Sequence, residues 1–275
     1  MARASGFQIV FLVFAFEFFS MLLARWLAGV LSWPADDFEM LGQMTTFTAA
    51  PLLLVLVGPL RRRCLEELRL RIPPGNVLEL IGATALKVAT LFALVALIVL
   101  QNQFSSPSVP LSTGVRIGDD LAHWQHTLLP LSLLHAIVFA WLLGPLVEEI
   151  VFRGLIYRAF EARWGWLPSM AITSLIFGLI HPQHIASSMA ASIIFTCVLR
   201  RTGTLWASIA VHALHNVVVS WPLFGHLVFS LPPGDADHDL WAWSGHLACL
   251  AFVAIGMPLY VWAARKDARA AGSAR

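Results

Sequence analysis

An all-α, polytopic membrane bundle of about eight transmembrane helices enclosing a polar cavity is the fold class this sequence predicts, on three observations. Of 275 residues 58% are hydrophobic and only 12% charged, with a mean hydropathy of +0.75, whereas a soluble domain carries roughly 25% charged residues. Apolar runs recur at about 20 residues, the length that crosses a hydrocarbon core of about 30 Å. Basic residues gather in alternate loops, as the positive-inside rule requires.

The elements follow in order. The runs and their breakers place helices near 7–31, 44–60, 77–101, 127–157, 166–181, 184–199, 202–221 and 240–264. The first run contains Glu17 and Arg25 and is too long for a signal-peptide core, so it reads as a retained span. Arg61, Arg62, Arg63, Arg69 and Arg71 follow the second helix, Arg158 and Arg163 the fourth, Arg200 and Arg201 the sixth, and Arg265, Lys266, Arg269 and Arg275 the eighth. The intervening loops are acidic: Asp36, Asp37 and Glu39; Asp119 and Asp120; Asp235, Asp237 and Asp239. Both termini are therefore expected in the cytoplasm. Residues 61–73, RRRCLEELRLRIP, form a basic amphipathic segment suited to anionic headgroups. The chain reads as one transmembrane domain: N-terminal helices over 1–126, a polar core over 127–221, and an external loop with the last helix over 222–275.

Composition excludes other classes. The net charge of +2 carries little information, and no nucleic-acid partner is expected. Cys64, Cys197 and Cys249 lie too far apart for a metal or disulfide framework and are assigned to packing. Of the 18 basic residues 16 are Arg, a composition that points to a GC-rich prokaryotic genome and hence to an inner (plasma) membrane.

Ionisable residues inside a membrane mark function by default, and three clusters carry them. In LVEEIVFRGL, Glu149 and Arg153 are four residues apart and share a helix face, acid first, which favours an ion pair. Glu148 is rotated by about 100° from Glu149 and faces elsewhere. In FGLIH, Phe177 and His181 lie one turn apart, directly before Pro182, which ends or bends the helix. In HALHN, His212 and Asn216 share a face and His215 is offset. Glu148 and His212 each lie about ten residues from the nearest cytoplasmic Arg, about 15 Å deep. The fifth and sixth helices span 16 residues each, about 24 Å, so the HPQH turn between them is expected to line a wet cavity.

A carboxylate, two imidazoles and an amide converging on water suit acid–base hydrolysis, with Glu148 and His181 handling the water and His212 and Asn216 donating to the oxyanion. Plainer readings compete. Glu148 could be a protonated acid joining helices, Glu149 and Arg153 a purely structural pair, His181 a core histidine, Asn216 an interhelical amide and Phe177 simple packing. Glu17 and Lys87 are expected to pair across the first and third helices; His135 reads as structural.

Together EEIVFR, FGLIH and HALHN resemble the EExxxR, FxxxH and HxxxN motifs of the CPBP intramembrane proteases, the Rce1-like, CAAX prenyl protease or Abi family. The resemblance covers roughly residues 141–221. It implies an eight-helix glutamic endopeptidase that needs no cofactor, acting on a membrane-anchored peptide or protein in the lipid bilayer. By the same resemblance Glu148 and His181 activate the water, His212 and Asn216 form the oxyanion hole, and Glu149 and Arg153 support them. His215 lies outside the motif and is read as a partner behind the site residues or as a tuner of substrate choice. A zinc protease holding its metal on Glu148, His181 and His212 is the mechanistic rival, although HExxH is missing. A non-proteolytic scaffold or bacteriocin self-immunity factor and a proton-coupled transporter are the rivals from other classes.

Overall fold

The computed structural model describes residues 76–104, 135–181, 184–220 and 243–273, with scattered positions between Phe11 and Leu68; residues 102–104, 135–136 and 266–273 are described in backbone only. The described residues hold six helices and no strand. Helix α1 is Val77–Phe104. Helix α2 runs without interruption over 135–164, but it changes winding: π-helical over His135–Leu143, α-helical over Gly144–Glu149, π-helical again over Ile150–Tyr157 and α-helical over Arg158–Trp164. Helices α3, α4, α5 and α6 are Trp166–Leu179, Ile185–Thr202, Leu205–Val219 and Ser244–Ser273.

The boundaries have local causes. Gly165 takes φ +77° between α2 and α3, a conformation glycine reaches without Cβ strain. This carries α2 beyond the expected end at 157 to Trp164. Pro168 sits in the first turn of α3, where its missing N–H removes no helical bond. Gly203, at φ +72°, ends α4 in the left-handed cap and donates its N–H to Leu199 O at 2.8 Å, the usual glycine role at a helix C-terminus. Thr204 then caps α5, its side chain accepting from Trp206 N at 3.3 Å. α4 is therefore longer than the expected 184–199 and α5 shorter than 202–221. α6 continues past 264 to Ser273.

Val77–Gln101 and Ser244–Arg265 are long and apolar enough to cross a membrane, whereas Trp166–Leu179 and Leu205–Val219 are shorter apolar helices. α3, with 14 residues, reaches only about 21 Å. Within the expected first span the described positions from Phe11 to Val30 are helical. The expected span 44–60 and the acidic loops lie outside the described residues.

α4 is the central helix and packs against α1, α3, α5 and α6, while α1 also packs along α6. One apolar cluster joins Phe152, Ile156, Tyr157 and Phe160 of α2 to Met170, Phe177, Cys197, Leu205 and Ile209. A second joins Ala83 and Leu86 of α1 to Ile194, Phe195, Val198 and Val211. Outward-facing positions are apolar too: Leu78 is 81% exposed and Ile255 64%. Contiguous greasy faces of this kind suit lipid rather than water.

Polar ties close the end marked by arginines. Arg201 Nε donates to Glu79 Oε1 at 2.6 Å and Tyr260 Oη donates to the same oxygen at 2.5 Å, joining α4, α1 and α6. Arg200 pairs with Glu161, which also accepts from Tyr157 Oη at 2.7 Å. Trp206 Nε1 donates to Leu68 O at 2.9 Å and so fastens the basic segment to the start of α5.

Candidate active site

The three motifs stand on α2, at the end of α3 and on α5, and the fold brings them together around two adjacent carboxylates with opposite surroundings. Glu149 is fully buried. Its Oε1 meets Arg153 Nη1 at 3.0 Å and accepts from His212 Nδ1 at 3.0 Å, and its Oε2 accepts from Ser208 Oγ at 2.5 Å. The expected ion pair is therefore present. It persists into the π winding of Ile150–Tyr157, where residues four apart still lie on nearly the same face. The Arg153 guanidinium lies between two aromatic faces, 4.7 Å from the Phe177 centroid and 5.2 Å from that of Phe195. Such stacking suits a weakly hydrated planar cation.

Glu148 points away from this pair, as its rotation requires. Its Oε2 lies 4.0 Å from His181 Nε2 and 3.9 Å from His212 Nε2. Its side chain is 17% exposed and that of His181 33%, against 0% for Glu149 and Arg153. The open side of the cluster is thus the side of Glu148 and His181.

Each imidazole is fixed through its other nitrogen. His181 Nδ1 donates to Phe177 O at 2.7 Å, and this bond back to the last turn of α3 leaves Nε2 toward Glu148. His212 Nδ1 donates to Glu149, and the ring stacks on Phe195 at 4.5 Å. A carboxylate can only accept, so it selects the Nδ1–H form of the ring and turns Nε2 to Glu148. The Phe177 ring meets Phe152 edge-on at 4.9 Å and lies 4.6 Å from the His181 ring and 6.3 Å from the His212 ring.

Asn216 contacts α2 instead of the acids, its Nδ2 donating to Ala140 O at 2.8 Å. The winding explains why that oxygen is available. In a π turn the carbonyl of residue 140 would receive the N–H of residue 145, and residue 145 is proline. One Nδ2 hydrogen is thereby committed, leaving the second and Oδ1. His215 is buried, and its Nδ1 has no hydrogen-bond partner among the described residues.

Ser208 is the contact that motif reasoning misses. It lies four residues before His212, on the same face of α5. That spacing is the only signal available, and a helical serine usually bonds its own backbone. Lys87, expected to pair with Glu17, donates to Ser187 Oγ at 2.9 Å; Glu17 lies outside the described residues, as does the side chain of His135. Among the described residues no three His, Cys, Asp or Glu side chains are arranged to hold a metal ion.

Residues 130–218 match the model of the family described as type II CAAX prenyl endopeptidase Rce1-like. A protein of Bacillus subtilis (strain 168) with the provisional name membrane peptidase YdiL is 31% identical over 85 residues, 30% of this chain. The match spans 35% of that relative's length. No solved structure matches. Both matches support the CPBP, Rce1-like assignment read from the three motifs, and the family match encloses every residue of the site.

Proposed function

We propose that this Rce1-like chain is an intramembrane endopeptidase that hydrolyses a peptide bond of a membrane-anchored substrate, with Glu148 as the base. The observation that carries the reading is the pair of gaps at Glu148 Oε2, 4.0 Å to His181 Nε2 and 3.9 Å to His212 Nε2. Separations of this size are too long for direct hydrogen bonds and fit a bridging water.

Glu148 takes a proton from that water while His181 orients it, and the hydroxide attacks the carbonyl carbon. The tetrahedral oxyanion is met by the His212 ring, which Glu149 holds in place from the other side, and by the second Nδ2 hydrogen of Asn216. Glu148 then returns its proton to the leaving amine. Arg153 balances Glu149, so the fully buried acid remains an acceptor for His212. Phe177 holds the His181 ring and covers the guanidinium. His215 tunes the site from beyond His212.

In this reading every step is assigned to a protein group, and no cofactor is called for. Incubation with 1,10-phenanthroline should leave cleavage unchanged; loss of activity restored by zinc would instead assign Glu148, His181 and His212 to a metal. The inner membrane of a prokaryote is the proposed location, with both termini cytoplasmic. The family is named for CAAX prenyl substrates, and the relative's name for membrane peptidases; a lipid-anchored peptide is the substrate class proposed from both. Purified Glu148→Gln and His181→Ala variants should lose at least about 10²-fold in the rate of cleaving a lipidated reporter peptide, the range of a lost general base. Wild-type rates in folded variants would overturn the mechanism.

A further inference from the structure

We propose that Ser187 and Lys87 form a second reactive centre, a serine–lysine dyad that hydrolyses acyl esters reaching it from the membrane. Lys87 is 2% exposed in the middle of α1. Its Nζ donates to Ser187 Oγ at 2.9 Å and, at the longer distance of 3.5 Å, to Thr90 Oγ1. Both partners are hydroxyls, and no carboxylate pairs with Lys87 among the described residues. An ammonium shut away from water without a counter-ion is costly, and a lysine so placed serves as a general base in other enzymes. A serine within hydrogen-bond reach of such an amine is the nucleophile–base arrangement of serine–lysine hydrolases.

The surroundings supply the remaining parts. Ser187 is half-buried in the first turn of α4, beside the exposed His184, Ile185 and Ala186, so an ester can approach from the outer face. α4 has 18 residues and starts directly after its capping residue His184. First-turn N–H groups have no acceptor within their own helix, and a helix N-terminus favours negative charge developing beside it.

In the acylation step the Ser187 hydroxyl gives its proton to the neutral Lys87 amine, and Oγ forms a bond to the ester carbonyl carbon. The bond from that carbon to the alcohol oxygen then breaks, and Lys87 returns the proton to the departing alkoxide. Water, deprotonated by the same amine, attacks the acyl-serine; the carboxylic acid leaves and Ser187 regains its proton. No group of the Glu148 site takes part.

A fluorophosphonate probe on the full chain in detergent micelles, with the adduct located by peptide mass spectrometry, tests the proposal without a variant. The expected result is phosphonylation at Ser187. Labelling should fall at least tenfold in Ser187→Ala and in Lys87→Arg, whose guanidinium stays protonated and cannot act as the base. The same two variants should lose hydrolysis of p-nitrophenyl octanoate. A probe adduct elsewhere, no adduct, or undiminished labelling of Lys87→Arg would each overturn the dyad. Because the readout is an adduct at Ser187, it stands or falls separately from peptide cleavage at Glu148.

Discussion

Glu148 and Glu149 are chemically identical neighbours with opposite surroundings, and their variants should separate accordingly. Glu149→Gln breaks a fully buried ion pair with Arg153, which should cost about 3–5 kcal/mol and appear as a lower Tm in detergent. Glu148→Gln should leave Tm near that of the wild type while abolishing cleavage. Ser208 offers a finer test. Ser208→Ala removes the donor to Glu149 Oε2 and should slow turnover about tenfold, the lower end for groups that orient a functional ligand. Ser208→Thr, which keeps the hydroxyl, should restore most of the rate, as kcat measurements would show. At this scale the sequence made the acids, Arg153 and the histidines legible, because charges are rare in so apolar a chain. It left Ser208 and the Ala140 contact of Asn216 illegible, since a helical hydroxyl or amide can serve any of several partners and only packing selects one.

Among the elements, the helices themselves were readable from apolar runs bounded by Gly and Pro. Their winding was not. The residues of α2 would suit an ordinary α-helix; the first π stretch ends at Leu143, just before the proline at 145, and no residue type marks where the second begins. Gly178 shows how closely those neighbours sit: a Cβ there would meet Met189 Cγ at 2.5 Å and the Ile185 carbonyl at 3.0 Å. The methionine can move aside, but the carbonyl cannot. Gly178→Ala should therefore push α3 from α4 at about 1–3 kcal/mol, the usual range for overpacking, and lower Tm. Because His181 follows three residues later, the same variant should slow turnover more than its stability loss alone accounts for.

For the molecule as a whole, composition makes the helical class and an apolar setting legible, and the six described helices agree with an all-helical protein. Orientation rests on arginine placement, and α2, α4 and α6 all carry basic residues toward one end. Single cysteines introduced beyond Arg200 or at the C-terminus, in a background lacking Cys64, Cys197 and Cys249, should be shielded from a membrane-impermeant maleimide in intact cells and react once the cells are opened. Labelling in intact cells would reverse the proposed topology.

Proline 145 carries a consequence for how the bundle holds its register. An imino acid at that position leaves a neighbouring oxygen unclaimed, and the amide from α5 answers it, so the two rods are keyed at one height. Restoring an ordinary N–H by Pro145→Ala would supply a rival suitor for that oxygen and set the amide adrift. Pro145→Ala and Asn216→Ala should then be no worse combined than the harsher one alone, a non-additivity that a double-mutant cycle on turnover would register.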